Sequence, residues 1–247
     1  MKKIYLLSLT VSLAIGLGYV YLSNKSEYTR QVVQVSENKN TDFNQAVESS
    51  ENTSMIDEKS ILKNAPGLNP DALKVAVKGY KWSLNKGIIE NPTILTIIDF
   101  SKPSNEKRLW VIDLKTNKVL MNIYTTQGKN SGLLYATSFS NTPSSDQTSL
   151  GVYKTLDVYE GKHGPSLRLQ GLEKGINDKA YQRSIVIHPA DYATPQYVKS
   201  NKRAGRSWGC FAIDPAVSNK LIDITKNGTV VFAYAPQEKN DPNIKNI

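Results

Sequence analysis

The chain has 247 residues, 39% of them hydrophobic and 21% charged, the balance of a soluble globular body and not of a disordered or wholly membrane-embedded chain. Its net charge of +9 resides from Asp57 onward, where 26 Lys and Arg face 17 Asp and Glu. There is no dense basic block and no basic repeat interleaved with aromatics, which argues against nucleic acid as a partner and leaves a mild bias toward anionic envelope polymers.

Taken from the N-terminus, "MKK" precedes an uncharged run from Ile4 to Ser23. A basic start followed by an apolar stretch is the pattern of an export signal. Some 20 such residues also suffice to span about 30 Å of hydrocarbon, so residues 1–23 read as a signal peptide or as a signal-anchor helix held in the cytoplasmic membrane by residues 4–23. Lys2 and Lys3 would keep the N-terminus inside. The rest of the chain is then expected outside, in the periplasm or cell envelope. Residues 24–56 include 16 Asn, Gln, Ser or Thr out of 33. They bury too little apolar surface to offset their ordering entropy and are expected to form a flexible linker, with a reach of roughly 30 Å as a coil.

A folded body is expected over 57–236, with a flexible tail at 237–247. In "NPDALKVAVKGYKWSLNKG", Asn69 suits a helix cap, Pro70 the first turn and Gly87 the stop, while Leu73, Val77, Tyr80 and Leu84 recur at helical spacing. Short β-branched and aromatic runs then dominate: "PTILTIIDF", "KRLWVIDL", "NKVLMNIYTT", "GVYKTLDVY", "SLRLQGL", "RSIVIH" and "TVVFAYA". Gly, Pro, Asn and Ser cluster between them. A second helix fits "DPAVSNKLIDITKNG", capped by Asp214. Many short strands at turn-punctuated spacing predict a mainly β body with a few short helices, built as a β-sandwich or a barrel-like form.

Chemistry concentrates in "GRSWGCFAID", which holds Cys210, the single cysteine of the chain. A lone thiol outside the cytosol is buried and inert, bridged to another molecule, or kept reactive. Cys210 lies four residues before the predicted second helix, whose N-terminus would lower a thiol pKa, and Gly209 would let neighbouring amides face an oxyanion. Only His163 and His188 could take the thiol proton. His188 ends an apolar strand before Pro189, a rigid position for a general base; His163 sits in a Gly-flanked turn. The competing reading makes Cys210 a small buried hydrophobe and both histidines structural. One Cys and two His without paired spacing form a poor zinc set. No Walker loop, dinucleotide fingerprint or Gly-x-Ser-x-Gly elbow occurs.

The stretch "SIVIHPADY…GRSWGCFAI", with "NTPSSDQTSLGVYKT" and "YEGKHGPSLRLQGLEKGINDKAYQRSIVIH" upstream, resembles a divergent branch of the YkuD-type L,D-transpeptidase catalytic domains, from about residue 68 to 236. The resemblance implies a cysteine-dependent acyltransferase that uses no metal or cofactor and acts on peptidoglycan stem peptides. Cys210 would form the thioacyl intermediate and His188 would act as the base. Amides around Gly209 and Cys210 would make the oxyanion hole, Ser207 and Arg206 would hold the loop or meet substrate, and His163 and Trp208 would line the cleft. Alternatives within the resemblance are an L,D-carboxypeptidase, in which water resolves the thioester, and a non-catalytic peptidoglycan-binding module. Three positions depart from the pattern. Trp208 replaces the histidine common before Gly-Cys, 22 residues separate His188 from Cys210, and Ala212 replaces an arginine. Arg203, Arg206 and Arg168 are the substitutes available for carboxylate recognition.

Overall fold

The computed structural model describes residues 56–240; the apolar run at 4–23, nearly all of the polar stretch at 24–56, and residues 241–247 lie outside them. Among the described residues, no helix is long and apolar enough to cross a membrane. The chain enters through α1 (Glu58–Asn64), which sequence periodicity did not reveal; Asp57 caps it by accepting from the amides of Lys59 and Ser60. The helix α2 (Pro70–Asn85) starts where expected, with the Asn69 side chain accepting from the Asp71 amide at 2.9 Å.

The strands are β1 (Ile94–Asp99), β2 (Leu109–Asp113), β3 (Lys118–Ile123), β4 (Gln127–Gly128), β5 (Gly151–Gly161), β6 (Gly164–Gly171), β7 (Val186–Pro189), β8 (Arg206–Ser207), β9 (Phe211–Ile213) and β10 (Val230–Tyr234). The helix α3 (Pro195–Asn201), capped by Thr194, falls between β7 and β8, and α4 (Pro215–Thr225) between β9 and β10. Every strand run read from the sequence corresponds to one of these. Asp214 caps α4 as expected, accepting from the Ala216 amide at 2.9 Å. The tail expected from 237 starts instead inside a 3-10 turn, Pro236–Asn240.

The described residues form a mixed α/β body, mostly strands, in which one large sheet stands in place of the expected sandwich and the barrel-like expectation is the nearer one. Eight strands hydrogen-bond in the order β3-β2-β1-β10-β5-β6-β7-β9, with β4 and β8 forming a separate parallel pair. Within the large sheet, β1 pairs β10 and β7 pairs β9 in parallel, and the remaining pairs are antiparallel. The chain leaving β3 then runs along the open edge of β9. The Thr126 amide donates to the Ala212 carbonyl at 3.2 Å and the Ala212 amide to Thr126 Oγ1 at 3.1 Å. The two ends of the sheet are thereby drawn together into a nearly closed, barrel-like form, which satisfies edge groups that an open sheet would leave to solvent.

One face of the sheet carries α2. Leu73, Val77, Tyr80 and Leu84 pack with Leu95, Ile97, Trp110, Val152 and Phe232, each side chain contributing roughly 1.5–3 kcal/mol by burial. The approach is close at Gly79, where a Cβ would fall 2.7 Å from the Val152 side chain. Behind the opposite face, Leu221 and Ile222 of α4 join Ile98, Val111, Tyr153, Leu167, Leu169, Ile187 and Phe211. Ile187 of β7 and Phe211 of β9, the strands that carry the site, are anchored in this second layer.

Candidate active site

β7 and β9 lie side by side in parallel register, with Ile187 opposite Phe211 and His188 opposite Ala212. Because side chains alternate along a strand, Ile187 and Phe211 enter the core while His188 turns to the other face. Cys210, at the entry to β9, opens onto the same space. A cleft of about 450 Å³ holds Cys210, His188, His163, Ser207, Arg206 and Trp208, together with Tyr159, Lys162, Ser166, Ser184, Val186 and Tyr192. Six of the seven residues singled out from the sequence therefore line one cavity, and the seventh, Gly209, adjoins it in the chain.

Cys210 is partly exposed and unpaired. Its thiol donates to the Ser184 carbonyl at 3.4 Å. Burial pushes the thiol pKa up, opposed by the Val186 amide and by the charge of Arg183. This corrects the expectation of a thiol acidified by a helix N-terminus: β9 separates Cys210 from α4, so the helix end is not beside the sulfur.

His188 is 7% exposed. Burial holds its pKa below the usual imidazole range, a backbone hydrogen bond at Pro189 opposes this, and His163 lowers it further. The ring is therefore neutral at neutral pH. Nδ1 lies 2.9 Å from the Pro189 carbonyl oxygen, which can only accept, so Nδ1 carries the proton and Nε2 keeps its lone pair. The group that orients His188 is thus the carbonyl of the next residue. His163, in the β5–β6 turn, stacks on the His188 ring.

The loop that carries Cys210 is held from within by Ser207, whose hydroxyl donates to the Cys210 carbonyl at 2.7 Å while accepting from the Gly209 amide at 3.1 Å. The Gly209 N–H is consequently turned onto Ser207. Gly209 has φ +124, and a Cβ there would sit 2.8 Å from the Gln147 carbonyl oxygen, so no other residue fits. Arg206 ties the loop to the Lys129 carbonyl at 2.8 Å. Trp208 is 76% exposed at the rim, with Lys129 Nζ 5.9 Å from its ring centroid.

Sequence reasoning missed several participants. Tyr192, inside the quoted "HPADY", has its phenol pushed up to about 12 by burial and by Cys210. Thr126 fastens β9 from the far side. Arg183 opens the run "RSIVIH", yet it is bound to the segment 140–149 on the other side of the loop that carries Cys210. No local periodicity marks such contacts. Of the three arginines considered for carboxylate recognition, Arg203 donates to the Ala204 carbonyl. Arg168 pairs with Asp157 and lies over the Tyr159 ring. Among the described residues, no cluster of three or more His, Cys, Asp or Glu is placed to hold a metal ion.

A thiol and a neutral, carbonyl-oriented imidazole opening onto one cleft make a cysteine–histidine site of the kind suited to nucleophilic chemistry. The chain belongs to the L,D-transpeptidase catalytic domain family, whose profile matches residues 64–234. No curated protein matches it. Among solved structures it is similar to an L,D-transpeptidase from Mycobacterium smegmatis at 13% identity and TM-score 0.37, covering 58% of this chain and 59% of that one. It is also similar to an L,D-transpeptidase from Xylanimonas cellulosilytica at 18% identity and TM-score 0.33, covering 62% and 67%. A third is the helical cell shape determining protein Pgp2 of Campylobacter jejuni, at 12% identity and TM-score 0.39, covering 66% and 59%. The match spans about three fifths to two thirds of the length of these three solved chains.

Proposed function

We propose that this protein is a cell-envelope L,D-transpeptidase that remodels peptidoglycan through a thioester on Cys210. The observation that carries the reading is one cleft lined by the partly exposed thiol of Cys210 and by a neutral His188 whose Nδ1 proton is fixed on the Pro189 carbonyl. His188 Nε2 takes the thiol proton as the sulfur attacks a stem-peptide carbonyl carbon. The C–N bond breaks, the proton passes to the departing amine, and an acyl group remains on sulfur. An acceptor amine then attacks the thioester, giving its proton to His188 and returning the thiolate. With the Gly209 amide occupied by Ser207, the Cys210 amide is the oxyanion donor in this scheme.

His163, Trp208 and Arg206 line the cleft as substrate contacts, and residues 57–236 form the catalytic body, carried outside the cytoplasm by the N-terminal segment. Mass spectrometry of stem-peptide muropeptides incubated with the full chain tests the reading. Cross-linked dimers are expected. Trimmed monomers alone would assign a carboxypeptidase, in which water resolves the thioester, and unchanged muropeptides would assign a binding module.

A further inference from the structure

We propose that Arg183 is a positioning residue for Cys210: it braces the segment 140–149 beneath the nucleophile loop and keeps a fixed positive charge behind the sulfur. The inference rests on the nucleophile role of Cys210 proposed above and extends it to a residue outside the cleft lining.

The guanidinium of Arg183 is forked across four acceptors of one loop. Nη1 donates to the Ser140 carbonyl at 2.6 Å and to Ser149 Oγ at 2.5 Å. Nη2 donates to the Gln147 carbonyl at 2.5 Å and to Ser145 Oγ at 3.2 Å. All four acceptors are uncharged, so the bonds satisfy the donors without neutralising the cation. A planar fork suits such an array and a lysine would not reproduce it. The same Nη2 and the Gln147 carbonyl are the atoms that a Cβ on Gly209 would meet, at 3.4 and 2.8 Å. The backbone before Cys210 therefore lies directly on the braced arginine. The segment carrying Arg183 also delivers two groups to the sulfur: the Ser184 carbonyl, reached because Ser184 adopts φ 55, and the Val186 amide.

The charge matters because the site otherwise disfavours a thiolate. Burial raises the Cys210 pKa, and Arg183 is the charged side chain that opposes it; burial lowers the Arg183 pKa from its ordinary value, and Tyr153, Cys210 and Asp146 oppose that. The other titratable groups bearing on this pair are His188 and His163 in the cleft with Lys162 and Arg206, Tyr192 beside the sulfur, and Tyr153 and Asp146 near Arg183. Asp146 is itself paired with Lys129 at 2.8 Å. His188 is neutral until it takes the thiol proton and buried Tyr192 keeps its own, so neither places a cation beside the sulfur in the resting site. Arg183 provides it from behind, where it obstructs no substrate.

The test is the rate of Cys210 alkylation by iodoacetamide against pH in the full chain, with thermal unfolding measured alongside. In Arg183→Gln, the thiol titrates at higher pH than in the wild type, alkylation at pH 7 slows severalfold, and kcat falls with little change in KM. Arg183→Lys keeps the charge and loses the fork: it unfolds at lower temperature, yet its alkylation profile returns toward that of the wild type. If Arg183→Gln does not fold, the Lys variant decides alone, because an alkylation profile displaced as far as its stability is lowered would overturn the electrostatic role. A Gln variant that loses stability with an unmoved profile would do the same. Both readouts follow the thiol and not the cross-linking reaction, so they fail independently of the proposed activity.

Discussion

The imidazole rings of His163 and His188 stack with centroids 5.2 Å apart and planes inclined by 25°. Two such rings in contact resist carrying charge together. His188 is already disposed to neutrality by burial, and His163 adds to it. The turn between β5 and β6 thus helps to set the protonation state of His188 on β7.

The acid limb of activity is accordingly expected below the ordinary imidazole value of 6.5. His163→Phe keeps a ring over His188 but removes the neighbour that disfavours its protonation, so the acid limb of kcat/KM moves to higher pH. A pH–rate profile of the two proteins checks this. The same depression has a consequence for stability. Below pH 6.5 the unfolded chain binds a proton at His188 that the folded chain refuses, so unfolding becomes easier as pH falls from about 6.5 toward the folded-state value. Above 6.5 this contribution to stability is fully present.

Gly209→Ala tests the loop geometry. The new Cβ meets the Gln147 carbonyl and the Ile185 side chain at under 3 Å, at a φ that side chains rarely adopt. Strain of roughly 1–3 kcal/mol is expected, relieved by a shift of the residue that precedes Cys210. Denaturant unfolding and Cys210 alkylation are both expected to change.

Thr126→Val tests the lacing of β9. Thr126 Oγ1 accepts from the buried Ala212 amide at 3.1 Å and donates to the Cys210 carbonyl at 3.4 Å. Valine matches the shape but leaves that amide without its acceptor, a loss of about 1–3 kcal/mol. Calorimetry should show the destabilisation, and turnover should fall with it because the strand behind the sulfur loosens.

The parts of the fold that depend on local pattern were legible in the sequence. Asn69 and Asp214 cap helices because short polar side chains satisfy free amides, and β-branched runs such as "TILTIID" form strands. What escaped was partnership. Nothing in "VVFAY" shows that β10 enters between β1 and β5, and a short run gives no sign that 125–127 will close the edge of β9, so spacing alone does not separate a sandwich from the large curled sheet that forms. The site divided the same way. Cys210, His188 and His163 stood out because their residue types are chemically rare in this chain. Arg183 and Thr126 are ordinary polar residues whose importance arises from contacts 36 and 86 positions away, and the orienting group on His188 is a backbone carbonyl that no residue type announces.

The most direct measurement is the intact mass of the full chain after exposure to a stem-peptide donor without acceptor. The wild type is expected to gain the mass of one acyl group on Cys210. His188→Ala should acquire it about 10²–10⁴ times more slowly, and Cys210→Ala not at all while remaining folded. Donor turnover that persists in Cys210→Ala, or a folded wild type that never gains the acyl mass, would contradict the account.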